Sequence, residues 1–386
     1  MSRSPILPGA TLGIVGGGQL GRMFVLEARR MGYRTLVLDP GAEAPAAQIS
    51  DDHIQAPLDD IEAARELASR SDVVTLEWEN ADVAAISELS EITPVRPGAH
   101  VLHIAQHRVR EKEAARRLGL RTADFRAVRT LDELNGAIDS IGLPAVLKTA
   151  LGGYDGKGQR VLRERQEAAS AFADLSDNGR ELILEAWVPF RLEASVICAR
   201  TPSGEVRSFP VVENIHRNGI LDFTIAPARI DPAIQEEARR MGEALIEGLD
   251  VVGILAAELF IDHDDQVYVN EIAPRPHNSG HYTWEACAVS QFEQQLRAVC
   301  DLPLGSPLLL RPAAMANLMG EEIGTGEGLP SLARTLETPM LSLHLYGKRE
   351  ARTGRKMGHL TALADSPDEA LARVRLARNI LIGTSS

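Results

Sequence analysis

A strand–turn–strand pattern near the middle of the chain constrains the fold most. Across Ala256–Ile272, two runs rich in apolar residues flank a polar turn of four residues, which predicts a β-hairpin. If Asp262 faces Val267 across that turn, Glu258 lies directly opposite Glu271. The pattern therefore brings two carboxylates to face each other across a hairpin.

Two carboxylates that face each other across a hairpin lie roughly 5 Å apart and repel each other. The pair becomes favourable when a divalent cation lies between the two groups. In nucleotide enzymes, Mg²⁺ is usually held by one or two carboxylates together with substrate phosphates. We therefore predict Glu258 and Glu271 as magnesium ligands; the alternative is a surface hairpin that carries acidic residues by chance.

The segment that continues from this hairpin, Asn270–His281, concentrates chemically reactive side chains. It contains a carboxylate, an arginine, two histidines, two asparagines and a serine within twelve residues. Pro274 and Pro276 keep it extended, because each restricts the residue before it to non-helical angles. This composition fits neither a core strand nor a solvated surface and predicts a binding segment.

The N-terminal third has the pattern of a parallel, doubly wound sheet. Strands are predicted at Thr11–Val15, Thr35–Asp39 and Val73–Leu76, with a helix from Gln19 to Met31 after the first strand. A strand–helix–strand unit of this kind predicts an α/β domain over residues 1–105.

A glycine motif lies between the first strand and the first helix. Gly16, Gly18 and Gly21 match G-x-G-x-x-G, and Asp39 closes the next strand, as in dinucleotide-binding folds. Taken alone, the motif favours a nicotinamide or flavin enzyme. Physically, it predicts only that a phosphate can approach the helix N-terminus.

The rest of the chain predicts two further units, an α+β domain over residues 106–300 and a small C-terminal domain over residues 301–386. The predicted strands are Ala145–Lys148, Arg160–Leu162, Leu182–Val188, Glu193–Ala199, Val206–Glu213, Ala313–Leu318 and Leu341–Tyr346. The predicted helices are Gln106–Leu118, Ala233–Gly248 and Pro367–Arg378.

Composition excludes several classes of function. The net charge of −13 argues against nucleic acid as the main partner. No apolar run approaches ~18 residues, so no membrane-spanning helix is predicted. The three cysteines lack metal-ligand spacing, which predicts reduced thiols and a cytoplasmic protein.

Three more segments predict anion or nucleotide binding. Lys148 ends a strand before the glycine-rich loop 152–158, which can close over a triphosphate; a flexible hairpin loop is the alternative. A strand-end acid, Glu185, and the later Glu193 can bind a purine amino group and ribose hydroxyls, or else form a solvated acidic strand end. The basic run Lys348–His359 is either a pocket for an anionic substrate or a solvated face.

Together these motifs resemble those of the ATP-grasp superfamily, and within it the family of ligases that carboxylate aminoimidazole ribonucleotide with ATP. The matching strings are Gly-Gly-Gly-Gln-Leu-Gly at 16–21, Gly-Gly-Tyr-Asp-Gly-Lys-Gly at 152–158, Glu-Asn-Ile-His at 213–216 and the segment 270–281. The closing Tyr-Gly-Lys and Arg-Lys-Met-Gly-His strings also match. The resemblance implies an ATP-grasp fold with a Rossmann-like N-terminal domain and a small C-terminal domain.

The resemblance also implies the roles of individual residues. It places ATP against Arg108, Lys148, Gly152, Gly153, Tyr154, Asp155, Gly156, Lys157, Gly158, Glu185, Ala186, Trp187, Val188, Glu193, His216, Asn270 and Glu271. It places Mg²⁺ on Glu258 and Glu271. It places the ribonucleotide and the carboxylating centre near Gln19, Leu20, Glu77, Tyr154, Asp155, Arg275, His277, Asn278, Ser279, Lys348 and Arg355. Of these, the residues expected to be catalytic are Tyr154, Arg275, His277 and Lys348.

The implied reaction begins with phosphorylation of bicarbonate by ATP, because bicarbonate itself is a poor electrophile. The resulting carboxyphosphate carboxylates the exocyclic amine of 5-aminoimidazole ribonucleotide, and ADP and phosphate are released. The resemblance further implies a homodimer. Alternatives are another ATP-grasp ligase, such as a formate-dependent glycinamide ribonucleotide transformylase or a biotin carboxylase, a dinucleotide-dependent oxidoreductase, and a non-catalytic nucleotide sensor.

Overall fold

The computed structural model describes residues 4–152, 158–176, 179–324 and 331–383. Its N-terminal part is a parallel four-stranded sheet with strand order β3-β2-β1-β4, as the sequence predicts. The elements are β1 (Thr11–Val15), α1 (Gln19–Arg30), β2 (Arg34–Leu38), β3 (Asp52–Ile54), α2 (Ile61–Ser69), β4 (Val73–Leu76), α3 (Val83–Ile92) and α4 (Ala99–Ala105).

A second, antiparallel sheet with order β5-β8-β6-β7 follows. Helices α6 and α7 pack on it around a small apolar core of their own. The elements are α5 (Arg108–Arg117), β5 (Phe125–Val128), α6 (Leu131–Ile141), β6 (Ala145–Thr149), β7 (Gln159–Leu162), α7 (Ala168–Leu175) and β8 (Leu182–Ala186).

The third sheet has nine strands in the described residues, and the C-terminal strands extend it rather than forming a sheet of their own. Its order is β14-β13-β9-β11-β12-β15-β17-β16, with β10 paired to β9. The elements are β9 (Phe190–Arg200), β10 (Val206–Ser208), β11 (Val212–Arg217), β12 (Ile220–Ala226), α8 (Pro232–Gly248), β13 (Gly253–Asp262), β14 (Val267–Ala273), α9 (Thr283–Ala286), α10 (Gln291–Val299), β15 (Ala313–Met319), α11 (Gly320–Ile323), α12 (Leu332–Leu336), β16 (Leu341–Leu345), β17 (Lys356–Leu363) and α13 (Pro367–Ile382).

The predicted hairpin is present as β13 and β14, and Glu258 does face Glu271. The predicted turn register, however, is wrong by one residue, because Ile261 rather than Asp262 pairs with Val267. Asp262 instead begins a wider turn, where its carboxylate accepts bonds from two turn N–H groups. A register shift next to Glu258 then inserts one extra residue, Asn270, opposite the 258–259 step, and this β-bulge restores the predicted pairing.

The strand predicted over Val206–Glu213 is wrong, because the structure divides it into β10 and β11. Pro210 lies between them and has no N–H group to donate to a sheet ladder. The chain therefore pairs with β9 twice, once on each side of the proline.

The sequence did not predict strand β17, because two glycines in the basic run, Gly354 and Gly358, are typical of turns. Gly354 does have a positive φ of 76°. Gly358 is a strand residue, and a Cβ there would collide with the carbonyl oxygen of His344 on β16. It is a glycine because two strands approach closely, which local sequence does not indicate.

Helix α10 fixes the N-terminal sheet against the large sheet. Its Phe292 and Leu296 lie in one apolar core with Leu12 and Phe24 of the first domain. Gln295 accepts the backbone N–H of Ile254 and donates to Thr75, both at 2.6 Å. No helix among the described residues is long and apolar enough to cross a membrane.

Candidate active site

The ends of the three sheets enclose a cavity of about 800 Å³. Residues that are far apart in the sequence meet on its walls. Of the predicted site residues it is lined by Gln19, Leu20, Glu77, Arg108, Lys148, Gly152, Glu193, His216, Glu258, Asn270, Glu271, Arg275, His277, Asn278, Lys348 and Arg355.

Some predicted residues are placed differently. Glu185 is buried behind the wall, and Ala186, Trp187, Val188, Gly158 and Ser279 do not line the cavity in the part of the chain that the structure describes. The exposed ring of Trp187 instead packs near Phe190, with 6.5 Å between ring centroids. The predictions for Gly153, Tyr154, Asp155, Gly156 and Lys157 lie outside the described residues.

Each of the two facing carboxylates has a side-chain partner. Glu271 Oε2 lies 2.8 Å from Arg108 Nη1, and Glu258 Oε1 lies 3.0 Å from His277 Nε2. Burial by itself would raise the pKa of Glu258, but its hydrogen bond with His277 lowers it to about 2. The expected repulsion is therefore offset by the Arg108 guanidinium beside Glu271 and by the hydrogen bond of His277 to Glu258.

The same place fits a magnesium ion. Beside the two carboxylates, Asn270 Oδ1 is buried and has no hydrogen-bond partner in the part of the chain that the structure describes. The described residues contain no group of three or more His, Cys, Asp or Glu side chains that could hold a metal alone. Two carboxylates and an amide oxygen leave positions for phosphate and water oxygens, which is the usual pattern for Mg²⁺.

A buried acid holds the lysine at the end of β6. Lys148 Nζ lies 2.8 Å from Glu185 Oε2, while Lys112 Nζ lies 3.4 Å from the other carboxylate oxygen. Burial opposes ionisation of Glu185, but the charges of Lys112 and Lys148 lower its pKa to about 2. Burial also lowers the pKa of Lys148, despite its pairing with Glu185. Glu185 therefore positions a lysine that faces the cavity.

Helix α5 contributes two residues that the sequence interpretation missed. Lys112 donates to the backbone oxygen of Asn270 at 3.0 Å, and Glu111 accepts the backbone N–H of Ile272. Burial raises the pKa of Glu111 to about 8. The sequence predicted only a helix here, because contacts with β14 about 160 residues away leave no local signal.

The glycine turn before α1 already holds two carboxylates. Glu77 accepts the backbone N–H groups of Gly18 and Gly21, the latter at 2.8 Å, and Asp39 accepts that of Gly17 at 2.7 Å. Burial raises the pKa of Glu77, although the two N–H groups oppose this. In a dinucleotide-binding fold these N–H groups would bind the pyrophosphate. Here the motif instead binds two carboxylates of the protein itself.

Glycine is required at this turn for close approach. A Cβ added at Gly16 would lie 2.6 Å from Glu77 Cγ, and one at Gly18 would lie 2.5 Å from Glu77 Oε1. The glycines thus admit a side chain of the same domain to the N-terminus of α1.

Arg275 is held by a bidentate ion pair with Glu79. One bond joins Arg275 Nε to Glu79, and Arg275 Nη2 lies 2.8 Å from Glu79 Oε1. Burial would raise the pKa of Glu79, but the charge of Arg275 lowers it. Glu79 follows β4, so the pair joins the first domain to the segment after β14.

Asn278 is a buried amide whose side-chain nitrogen and oxygen have no hydrogen-bond partner among the described residues. The residue nevertheless lines the cavity. Buried amides are almost always paired. The arrangement therefore fits an amide that binds a ligand.

The basic run contributes to the cavity wall from the C-terminal strands. Lys348 Nζ donates to Gln19 Oε1 and to the backbone oxygen of Lys356, both at 2.6 Å. Arg355 lines the same wall. On the opposite side, His216 Nδ1 lies 2.8 Å from Glu193 Oε2, and this contact raises the pKa of His216 against the effect of burial.

Three family models match consecutive parts of the chain. They are the ribonucleotide synthetase preATP-grasp domain over residues 9–106, the ATP-grasp domain over 113–292 and the phosphoribosylaminoimidazole carboxylase C-terminal domain over 313–373. A protein of Bacillus subtilis (strain 168) named N5-carboxyaminoimidazole ribonucleotide synthase is 45% identical over 374 residues, which cover 97% of each chain. The chain belongs to the N5-carboxyaminoimidazole ribonucleotide synthase family.

Solved structures of synthases in this family have the same fold. The Staphylococcus aureus N5-carboxyaminoimidazole synthetase complexed with ADP is 36% identical, with a TM-score of 0.91 and coverage of 97% of this chain and 99% of that one. The Aspergillus clavatus synthase in complex with ADP and 5-aminoimidazole ribonucleotide is 34% identical, with a TM-score of 0.90 and coverage of 96% and 98%. These matches confirm the predicted ATP-grasp fold class with its preATP-grasp and C-terminal domains.

Proposed function

We propose that this chain carboxylates 5-aminoimidazole ribonucleotide with ATP and bicarbonate, forming N5-carboxyaminoimidazole ribonucleotide, ADP and phosphate in purine biosynthesis. Membership of the synthase family over nearly the full chain supports this assignment. The main structural support is that one cavity is lined by Lys148, by the facing pair Glu258 and Glu271, and by Lys348 of the basic run.

ATP is proposed to bind between β6, the loop 152–158 and the strands that carry Glu193 and His216. Lys148 and Arg108 balance phosphate charge there. Glu258, Glu271 and Asn270 would hold Mg²⁺, which when bound neutralises the charge of the transferring phosphoryl group. Because the donors are fixed before ATP arrives, little reorganisation is required in the transition state.

Bicarbonate is proposed to bind beside Arg275, whose planar guanidinium suits the oxygens of a carboxylate-like anion. Glu79 fixes that guanidinium from behind. Asn278 has both amide atoms available for a ligand, and His277 and Tyr154 are the residues proposed to handle protons. Carboxyphosphate reacts quickly with water, so closure by the glycine-rich loop would protect it.

The ribonucleotide is proposed to lie along Gln19, Leu20 and Glu77, with its phosphate on Lys348 and Arg355. The contact of Lys348 with Gln19 brings the two parts of this site together.

A homodimer and a cytoplasmic location are further proposals. The family resemblance supports the homodimer, and the composition of the chain supports the location.

The experiment that tests the function is ADP release measured with aminoimidazole ribonucleotide, bicarbonate and Mg-ATP, each omitted in turn. We expect rapid release only when all three are present, together with a carboxylated ribonucleotide product. Release that instead depends on formate and glycinamide ribonucleotide, or on biotin, would assign the chain to a different ATP-grasp reaction.

Lys348→Ala and Arg355→Ala should each raise the KM for the ribonucleotide by roughly 10- to 100-fold and leave the KM for ATP nearly unchanged. A charge-assisted phosphate contact contributes about 1.5–3 kcal/mol, and these residues are remote in sequence from the proposed ATP-binding motifs. The measurement is steady-state kinetics with each substrate varied in turn. Lys348→Arg should also be impaired, since its larger planar group cannot keep the contact with Gln19 Oε1.

The matched control is Arg349→Ala, the neighbouring cation. Its guanidinium pairs with Glu43 at 3.0 Å and is 71% exposed, so both KM values should stay at wild-type levels. Equal changes in the two KM values for Lys348→Ala and Arg355→Ala would show that the basic run does not bind the ribonucleotide phosphate.

A further inference from the structure

A row of polar side chains crosses the large sheet behind the cavity. Glu258 on β13 pairs with Ser195 on β9. Ser195 pairs in turn with Val212 on β11, so Asn214, two residues further, shares its face of the sheet. Asn214 pairs with Thr224 on β12. The row therefore runs through four strands and ends at the carboxylate pair.

These side chains form one continuous series of hydrogen bonds. Thr224 Oγ1 donates to Asn214 Oδ1 at 3.1 Å, and Asn214 Nδ2 donates to Ser195 Oγ at 2.9 Å. Ser195 Oγ donates to Ser279 Oγ at 2.7 Å. Ser279 Oγ lies 2.8 Å from His277 Nδ1. The series thus leads from the interior of the sheet to an imidazole on the cavity wall.

The order of donors determines which ring nitrogen of His277 carries a proton. A hydroxyl group has a single proton, and the proton of Ser195 is used on Ser279. The proton of Ser279 is therefore available for His277 Nδ1, and the backbone N–H of Ser279 also points to that atom at 3.3 Å. Nδ1 is then an acceptor, and the ring proton is on Nε2, 3.0 Å from Glu258 Oε1.

The row is buried. Ser195, Ser279 and Thr224 have 0% exposure, and Asn214 has 5%. Apolar side chains at such positions would avoid the loss of hydration that polar groups suffer on burial. Neither Ser195 nor Ser279 is among the residues that line the cavity. The hydroxyl group of Ser279 contacts His277, and that of Ser195 contacts Ser279.

We propose that Ser195 and Ser279 are positioning residues that hold the imidazole of His277 with its proton on Nε2 and directed at Glu258. Asn214 orients Ser195, and Ser195 acts only through Ser279. The proposal rests on the proposed function in one respect, namely that His277 works at the carboxylating centre. In this proposal Ser279 orients His277 and does not itself bind the substrate.

The first test is nitrogen-15 NMR of histidine-labelled protein without metal or substrates, with the His277 signals assigned by comparison with His277→Gln. In the wild type we expect an unprotonated Nδ1 and a protonated Nε2. Ser279→Ala should shift both signals toward a mixture of the two tautomers, and Ser195→Ala should shift them less. Ser208→Ala is the control, because that β10 hydroxyl bonds Glu243 instead, and it should change nothing.

The second test is a double-mutant cycle on ADP release with all substrates present. Each single alanine variant should lower kcat by about 10- to 100-fold, the usual effect of removing a residue that orients a functional histidine, and leave the KM for ATP unchanged. The double variant should be no slower than Ser279→Ala, since Ser195 has no separate route to His277.

Three outcomes would overturn the proposal: an Nδ1-protonated His277 in the wild type, unchanged His277 signals in Ser279→Ala, or losses in kcat that multiply in the double variant. If Ser279→Ala does not fold, Ser195→Ala decides alone, and His277 signals identical to the wild type would contradict the proposal. Failure of wild-type protein to use the ribonucleotide would refute the proposed function, whereas the NMR test would still decide the positioning.

Discussion

Glu271→Gln should lower ADP release by about 100- to 1,000-fold, the loss expected when one preorganised electrostatic group is removed from a transition state. The amide keeps the shape of the side chain but loses the charge that would hold Mg²⁺ opposite Glu258. The measurement is the steady-state rate at saturating Mg²⁺, with circular dichroism to confirm that the variant is folded.

Asp264→Asn is the matched control for this variant, because Asp264 lies in the turn of the same hairpin and is exposed. It should keep the wild-type rate. A Glu271→Gln protein with near-normal turnover at saturating Mg²⁺ would show that Glu271 is not a metal ligand, and that its contact with Arg108 is structural.

Glu79→Ala should lower the free energy of unfolding by about 3–5 kcal/mol, the usual loss when one partner of a buried ion pair is removed. The side chains of Arg275 and Glu79 are only 14% and 18% exposed, so the variant leaves a guanidinium buried without its carboxylate. Urea unfolding gives the measurement. The double variant Glu79→Ala/Arg275→Met should recover part of the loss, because it removes both charges.

The control is Glu88→Ala, which removes an exposed ion pair with Arg65 and should lower the free energy of unfolding by less than about 1 kcal/mol.

The ion pair between Glu79 and Arg275 should also stop stabilising the fold at low pH. Because Arg275 lowers the pKa of Glu79 in the folded protein, the stabilisation by this ion pair is fully present above the ordinary glutamate pKa of about 4.3. It is lost as the pH falls through the lowered value. A loss near 1 kcal/mol for Glu79→Ala would mean that water solvates Arg275 in the variant.

The sequence was sufficient to predict features that depend on residues close together in the chain. Alternation in strands and the position of a turn predicted a hairpin, and that hairpin brings Glu258 opposite Glu271. The pairing was predicted correctly although the turn register was wrong by one residue. The bulge at Asn270 compensates, and no local rule predicted it, because a bulge forms where the contacts of a strand with its neighbours favour it.

The sequence was insufficient where a side chain finds its partner far along the chain. Glu79 and Arg275 are 196 residues apart, and Glu77 enters a glycine turn more than 50 residues before it. The glycine motif alone favoured a dinucleotide. Only the folded chain shows that acidic side chains use those N–H groups.

The sequence by itself determined the fold class, the hairpin with its two acids and the residues that can act on phosphates, because periodicity and motif spacing depend on neighbouring residues. Tertiary structure alone decided the partners of those residues: Glu79 for Arg275, Glu185 for Lys148, and Ser195 for Ser279. Such contacts depend on which strands and helices pack together. That packing is set by burial of apolar surface over the whole chain, and so it leaves no mark on the few residues that it brings into contact.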